Sequence, residues 1–244
     1  MKRPRGIAIP GLAMAASELP TIEGLIRLEN PEIGSGVQLD SRYTLEDLAA
    51  LHLGSILGAG LDDDPVLCGM SMGALILSVL ATDLRPKLPA RCRFRFIAPS
   101  PNSASNPAVS EGRLEEWSAV HSGDIPSFTR VLEPFFSKGF RREHPERFER
   151  YVRYRAFGEN NQSLKAFRRQ TIALRDFEAE KYYSRVDSSE AEFIRGAEDI
   201  IFGLSHREEL SRLAPAVRWH EIPVAGHMLN FEHPEVFGVQ PEPQ

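Results

Sequence analysis

The segment Val66-Leu67-Cys68-Gly69-Met70-Ser71-Met72-Gly73-Ala74 joins two patterns that belong to different elements. Up to Cys68 it is apolar without alternation, as in a strand covered on both faces. From Ala74 to Ala81 it is apolar nearly all round, as in a helix buried against a sheet. Between them, Gly69, Ser71 and Gly73 form Gly-x-Ser-x-Gly. A chain that passes from strand to helix within one residue strains the serine and needs small residues two positions to either side. Such a turn lifts the Ser71 hydroxyl above the sheet at a helix N-terminus, and it leaves the Met72 N–H free to meet developing negative charge. Ser71 is therefore the candidate nucleophile. Cys68, inside the strand, reads as a small buried hydrophobe, because reactive thiols occupy exposed electropositive positions.

Outward from this segment, apolar runs of strand length recur near 6–9, 36–39, 65–68, 93–97, 191–194 and 217–222. Helical patterns lie between them. Thr44-Leu45-Glu46-Asp47 is a helix start with an acidic first turn, and Leu45, Leu48, Leu51 and Ile56 continue one face. Strands alternating with helices predict an α/β fold with a mostly parallel sheet and helices on both faces. The N-terminus imitates a secretory signal, with basic residues before Gly6–Ala15 and a small-residue Ala13-Met14-Ala15. Gly6, Pro10 and Gly11 disfavour a helical signal core. Gly6-Ile7-Ala8-Ile9 is read instead as a buried strand entering a Pro-Gly turn.

A serine needs a base within hydrogen-bond reach. Of the seven histidines, His52 falls in a helical pattern, His121 and His144 in the helical middle of the chain, His206 at a helix start, His220 in a strand and His233 at a helix entry. His227 follows the run Val217–Ile222 by the short loop Pro223-Val224-Ala225-Gly226. That puts it at the C-terminal edge of a parallel sheet, as Ser71 is. The orienting acid comes from Glu192–Asp199, a strand ending in two carboxylates; Asp199 is preferred and Glu198 is its rival. Asp62-Asp63-Asp64 precedes the nucleophile strand, at the wrong edge of the sheet.

Residues 102–186 break the alternation. They open on a polar loop and continue with helical patterns over 114–120, 126–136, 145–157 and 163–183. The domain reading is a core of 1–101 and 187–244 with a helical insertion at 102–186. That insertion holds 15 Lys+Arg and 12 Asp+Glu, a net charge of +3 against −8 for the rest. Much of this is the i,i+4 pairing of solvated helices. The sharper reading is attraction of an anionic substrate or a carrier-bound acyl group. Trp117, Phe128, Phe136 and Arg142 are the candidate substrate contacts there.

Composition excludes other classes. The chain has 244 residues, 42% hydrophobic and 26% charged, with a formal net charge of −5. This is an ordinary globular balance, long enough to bury a core without staples. A nucleic-acid-coating surface is not expected at this charge. No apolar run approaches the roughly 20 residues of a membrane span. Cys68 and Cys92 make no disulfide scaffold and fit a reducing compartment, so a cytoplasmic location is expected. No metal or organic cofactor is implied, since His-Glu-x-x-His, Cys-x-x-Cys and phosphate-binding glycine loops are absent.

The order Ser71…Asp199…His227 resembles the α/β-hydrolase superfamily, and within it small capped esterases, enol-lactonases and pimeloyl-carrier methyl esterases. Ile7-Ala8-Ile9-Pro10-Gly11-Leu12 looks like that family's strand and oxyanion loop, and Ala225-Gly226-His227 with Glu232-His233-Pro234-Glu235 looks like its C-terminal signature. The resemblance implies Leu12 N–H as a second oxyanion donor beside Met72, and a cap in the place of the insertion. It implies hydrolysis of a small-molecule carboxylic ester, thioester or lactone. Family members with the same triad also act as acyltransferases, cofactor-free lyases and carbon–carbon hydrolases, and a non-catalytic ligand-binding relative is a third reading. This chain departs from the pattern in starting close to the family's third strand, in Pro10 and Ala74, and in a short tail after Pro234.

Overall fold

The structure is a computed structural model that describes residues 3–34, 36–39, 41–101, 124–157 and 163–238. The expected helix at 114–120, with Trp117, lies outside the described residues. Six strands form one parallel sheet: β1 (Gly6–Ile9), β2 (Leu25–Arg27), β3 (Val66–Met70), β4 (Arg93–Ile97), β5 (Ala191–Gly196) and β6 (Arg218–Ile222). Their order is β2-β1-β3-β4-β5-β6. In register, Ile9 faces Gly69, Met70 faces Ile97 and Gly196 faces Ile222. All strands point the same way, so every strand's C-terminal end opens on one edge.

Nine helices are described: α1 (Leu45–Gly58), α2 (Met72–Leu80), α3 (Ile125–Leu132), α4 (Lys138–Glu143), α5 (Pro145–Ala156), α6 (Leu164–Arg175), α7 (Ala179–Tyr183), α8 (Leu204–Leu213) and α9 (Leu229–Glu232). Helix α1 starts where its sequence says. The Thr44 hydroxyl accepts from Asp47 N–H at 3.1 Å, and the Asp47 carboxylate accepts from Thr44 N–H at 2.9 Å. This reciprocal cap satisfies two of the donors that a helix start leaves open. Every residue of α2 is buried.

Side-chain alternation divides the core at the sheet. Ile7, Ile9, Leu67, Phe94, Phe96 and Phe193 join α1 and α2 on one face, with Tyr182 and Tyr183 of α7. Ala8, Val66, Cys68, Met70, Ile97 and Ile194 lie in a second cluster, with Met14, Leu19, Phe237 and the side chains of α3 and α5. The helical segment between β4 and β5 thus contributes to both clusters. Ala173, Leu174, Phe177 and α7 pack with α2, whereas α3 and α5 pack over the strand ends.

The strand expected at 36–39 is not formed, and the second strand is Leu25–Arg27 instead. Val37 is exposed and folds back, accepting at its carbonyl from Glu32 N–H at 3.0 Å, while Gly36 N–H donates to Ile33 O at 2.7 Å. Leu25–Arg27 is only three residues long and half-buried at the sheet edge, so it presents no apolar run to read. The short tail is tied to the sheet. The Arg95 guanidinium donates to Val236 O at 2.7 Å and Gly238 O at 2.8 Å, and Phe237 is fully buried.

Candidate active site

Ser71 occupies the single residue between β3 and α2, with φ 53° and ψ −116°. This left-handed backbone is strained for a residue with a Cβ. The surroundings hold it there. Ser71 N–H donates to Ile97 O on the neighbouring strand at 2.9 Å, and Ser71 O accepts from Ala74 N–H at 2.9 Å. A Cβ at Gly69 would lie 2.2 Å from Gly73 O, and one at Gly73 would lie 2.3 Å from Ile9 O, so both positions require glycine. The Ser71 hydroxyl makes no capping bond to α2. Met72 is the first residue of that helix, where backbone N–H groups lack intrahelical partners.

Asp199 and His227 meet across the ends of β5 and β6. His227 Nδ1 lies 2.9 Å from Asp199 Oδ2, and both side chains are buried. Asp199 Oδ1 accepts from Ile201 N–H at 2.9 Å and Phe202 N–H at 3.0 Å. With both carboxylate oxygens accepting, the proton of the neutral imidazole sits on Nδ1, and Nε2 carries the lone pair. Two close approaches make the meeting possible. A Cβ at Gly196 would lie 2.2 Å from the carbonyls of Ala225 and Gly226, and one at Gly226 would lie 2.6 Å from Ser137 N. The loop after β6 is gripped from the other side as well, because His227 N–H and Met228 N–H both donate to Phe135 O, at 2.8 and 3.0 Å. The rings of Phe135 and Phe202 stand edge-on to the imidazole, with centroids 5.6 and 5.0 Å away.

Ser71 and His227 line one cavity. Its walls are Gly11, Leu12, Met14, Met70, Leu132, Phe135, Ile201, Phe202 and Met228, with Tyr151 and Arg155 reaching in from α5. Gly11 packs directly on the serine, since a Cβ there would lie 3.2 Å from Ser71 Cβ. The turn after Gly11 is held by side chains from far along the chain. Ala13, at φ 59°, donates its N–H to Gln170 Oε1 at 3.1 Å and accepts at its carbonyl from Arg155 Nη1 at 2.7 Å. Arg155 is paired in turn with Glu18, whose Oε2 accepts from Tyr151 Oη at 2.8 Å. Burial and the Glu18 carboxylate raise the Tyr151 hydroxyl well above its usual range and keep it a donor. Among the described residues, no group of three His, Cys, Asp or Glu is arranged to hold a metal ion.

A sequence profile described as the alpha/beta hydrolase family matches residues 19–238. The chain belongs to that family. Solved structures of α/β-hydrolase enzymes superpose on it over nearly its whole length. An enol-lactonase from Burkholderia xenovorans LB400 is 19% identical, with a TM-score of 0.76, covering 97% of this chain and 89% of its own. A thermophilic esterase from Thermogutta terrifontis is 18% identical, with a TM-score of 0.73 and coverages of 94% and 85%. An esterase from Exiguobacterium antarcticum is 16% identical, with a TM-score of 0.71 and coverages of 97% and 90%. At these identities the likeness is one of fold. No curated protein matches the sequence significantly.

Among the residues picked from the sequence, the α/β-hydrolase fold brings Ser71, His227 and Leu12 to the cavity wall and puts Asp199 behind His227. Glu198, the rival acid, instead accepts from Lys138 N–H at 3.2 Å. Cys68 is fully buried, and burial pushes its thiol up to about 12. Phe128 and Phe136 do not line the cavity. Phe128 is buried, and Phe136 packs among Phe140, Phe148, Tyr151 and Phe231. Arg142 is exposed and pairs with Glu143 at 3.0 Å. Phe202 and Gln170 carry no motif in the sequence and reach the site only through the fold. A second, basic groove adjoins the cavity across Tyr151, lined by Arg147, Arg150 and Arg153 with Ser17, Glu18, Tyr154 and Phe231.

Proposed function

We propose that this α/β-hydrolase-family protein is a serine hydrolase acting on a carboxylic ester, thioester or lactone through an acyl-enzyme on Ser71. One observation carries the reading: a serine strained into a left-handed turn shares a cavity with a histidine whose Nδ1 is held by a buried carboxylate. His227 Nε2 takes the Ser71 proton as Oγ bonds to the substrate carbonyl carbon. The oxyanion is received by the N–H groups of Leu12 and Met72. His227 then returns the proton to the leaving oxygen or sulfur as that bond breaks. Water, deprotonated by His227, releases the acid and restores Ser71. Asp199 holds the imidazole tautomer and balances its transient charge.

The cavity wall is mostly apolar and supports an uncharged reacting acyl portion. The arginine groove beyond Tyr151 supports an anionic distal group, on a small molecule or on an acyl carrier. In this reading residues 102–186 form the cap, and no metal or organic cofactor takes part. The test is Ser71→Ala against a panel of p-nitrophenyl esters, with fluorophosphonate labelling of the parent protein. The expected result is labelling at Ser71, steady release of free acid, and a loss of kcat of roughly 10⁴–10⁶ in the variant. Turnover unaffected by Ser71→Ala would overturn the proposal. Release of p-nitrophenol that depends on an added alcohol or amine, with the acyl group recovered on that acceptor, would identify an acyltransferase instead.

A further inference from the structure

The peptide that carries the Leu12 N–H has its carbonyl on Gly11. Asn30, completely buried in the loop after β2, donates from Nδ2 to Pro10 O at 3.1 Å and to Gly11 O at 3.4 Å. Behind it lies His52 of α1, also buried, with Nε2 3.0 Å from Asn30 Oδ1. Burial pushes the His52 pKa down to about 4, so its imidazole is neutral near pH 7. Asn30 Oδ1 can only accept, so His52 Nε2 is the donor, and this bond fixes which end of the Asn30 amide faces the turn.

We propose that Asn30, oriented by His52, is a positioning residue for the Leu12 oxyanion donor. A trans peptide directs its C=O and N–H to opposite sides. Anchoring Gly11 O on the buried side therefore turns Leu12 N–H toward the Ser71 side, where Gly11 already touches the serine. The anchor acts a second way, because a hydrogen bond accepted by an amide carbonyl strengthens donation by the same amide's N–H. A chain of donors runs from His52 through Asn30 to the peptide whose N–H meets the developing charge. The local backbone adds a single bond to this carbonyl, from Met14 N–H to Gly11 O at 3.4 Å, and Pro10 has no N–H to contribute.

The inference rests on the serine-hydrolase reading, and the experiment separates the two. Asn30→Leu, His52→Leu and His52→Gln are compared with the parent and with Ser71→Ala. The readouts are kcat and KM on a p-nitrophenyl ester and the affinity of a trifluoromethyl ketone, which forms an anionic adduct on the serine. Expected is a loss of kcat of roughly 10–100-fold in Asn30→Leu at nearly unchanged KM, with ketone affinity falling in parallel. His52→Leu should show a similar loss, and His52→Gln, whose amide can still donate to Asn30, should regain most of it. Should Asn30→Leu fail to fold, the two His52 variants decide the matter. Parent-like kcat and ketone affinity in folded Asn30→Leu, or no difference between His52→Leu and His52→Gln, would overturn the inference. An active Ser71→Ala would instead remove the hydrolase reading beneath it.

Discussion

Asp199 holds His227 with one carboxylate oxygen and the turn after β5 with the other. Oδ2 lies 2.9 Å from His227 Nδ1, while Oδ1 accepts from Ile201 and Phe202 N–H. The acid is thus fixed in rotation before it meets the imidazole. In Asp199→Asn the amide oxygen can keep both backbone donors, which leaves the NH₂ group facing Nδ1. The imidazole must then move its proton to Nε2, the nitrogen that should accept from Ser71. Ester kcat is expected to fall by roughly 10³–10⁴ with little change in melting temperature. A fall of less than tenfold in steady-state assays would show that Asp199 does not set the tautomer.

The serine turn depends on glycine as much as on serine. A Cβ at Gly73 would sit 2.3 Å from Ile9 O and 2.8 Å from Pro10 O, and both contacts are backbone that cannot move aside. Gly73→Ala should therefore cost about 3 kcal/mol of stability or more and move the Pro10–Leu12 turn away from Ser71. Gly54, with nothing within 4 Å of its Cβ position, is the control. It lies inside α1, so Gly54→Ala should be neutral or slightly stabilising. Urea unfolding of the two variants checks the contrast, and equal midpoints would refute it.

These cases show what the sequence made legible. The glycine spacing around Ser71 is local, and so is the sequence Gly196-Ala197-Glu198-Asp199 at the end of a strand. Strands β1, β3, β4, β5 and β6 and the helix start at Thr44 could be read from such short-range patterns, as could the placing of Ser71, Asp199 and His227 at one edge of the sheet. The walls of the site could not. Phe135 and Phe136 are neighbours, yet Phe135 faces His227 and Phe136 faces the aromatic cluster with Phe140 and Phe148. Only the rotation of a short helical turn distinguishes them. Gln170 and Ala13 meet across 157 residues, a contact that no spacing rule encodes. Strand β2 is illegible for a different reason: a three-residue edge strand takes its stability from pairing with β1 and shows almost no pattern of its own.

His52 makes stability depend on pH in a definite direction. Its folded pKa, near 4, is below the usual value of 6.5. The unfolded chain therefore takes up a proton first as pH falls. The contribution of neutral buried His52 is fully present above about pH 6.5 and is lost progressively down to about pH 4, by a few kcal/mol in all. His52→Gln, which has no titrating group, should flatten the stability profile across that window. The measurement is urea unfolding of both proteins between pH 4 and pH 7.5. Parallel profiles would mean that other groups govern acid sensitivity.

The groove beyond Tyr151 turns the net positive charge of residues 102–186 into a question of specificity. Arg147 is partly engaged, donating to Phe231 O at 3.0 Å and lying over the Phe140 ring. Arg150 and Arg153 are exposed residues of α5 on the same groove. If the groove receives an anionic distal group, Arg150→Glu with Arg153→Glu replaces two attractive charges by two repulsive ones at the same distance. KM for esters that carry a distal carboxylate should rise by roughly tenfold or more at low ionic strength, and added salt should shrink the difference. Neutral esters of the same length should keep the parent KM, because neither arginine lines the cavity around Ser71. Their kcat should also hold, since the reacting groups are untouched. An equal rise in KM for neutral and anionic esters would mean that the double variant disturbs the packing of α5 and that the arginines do not select charge.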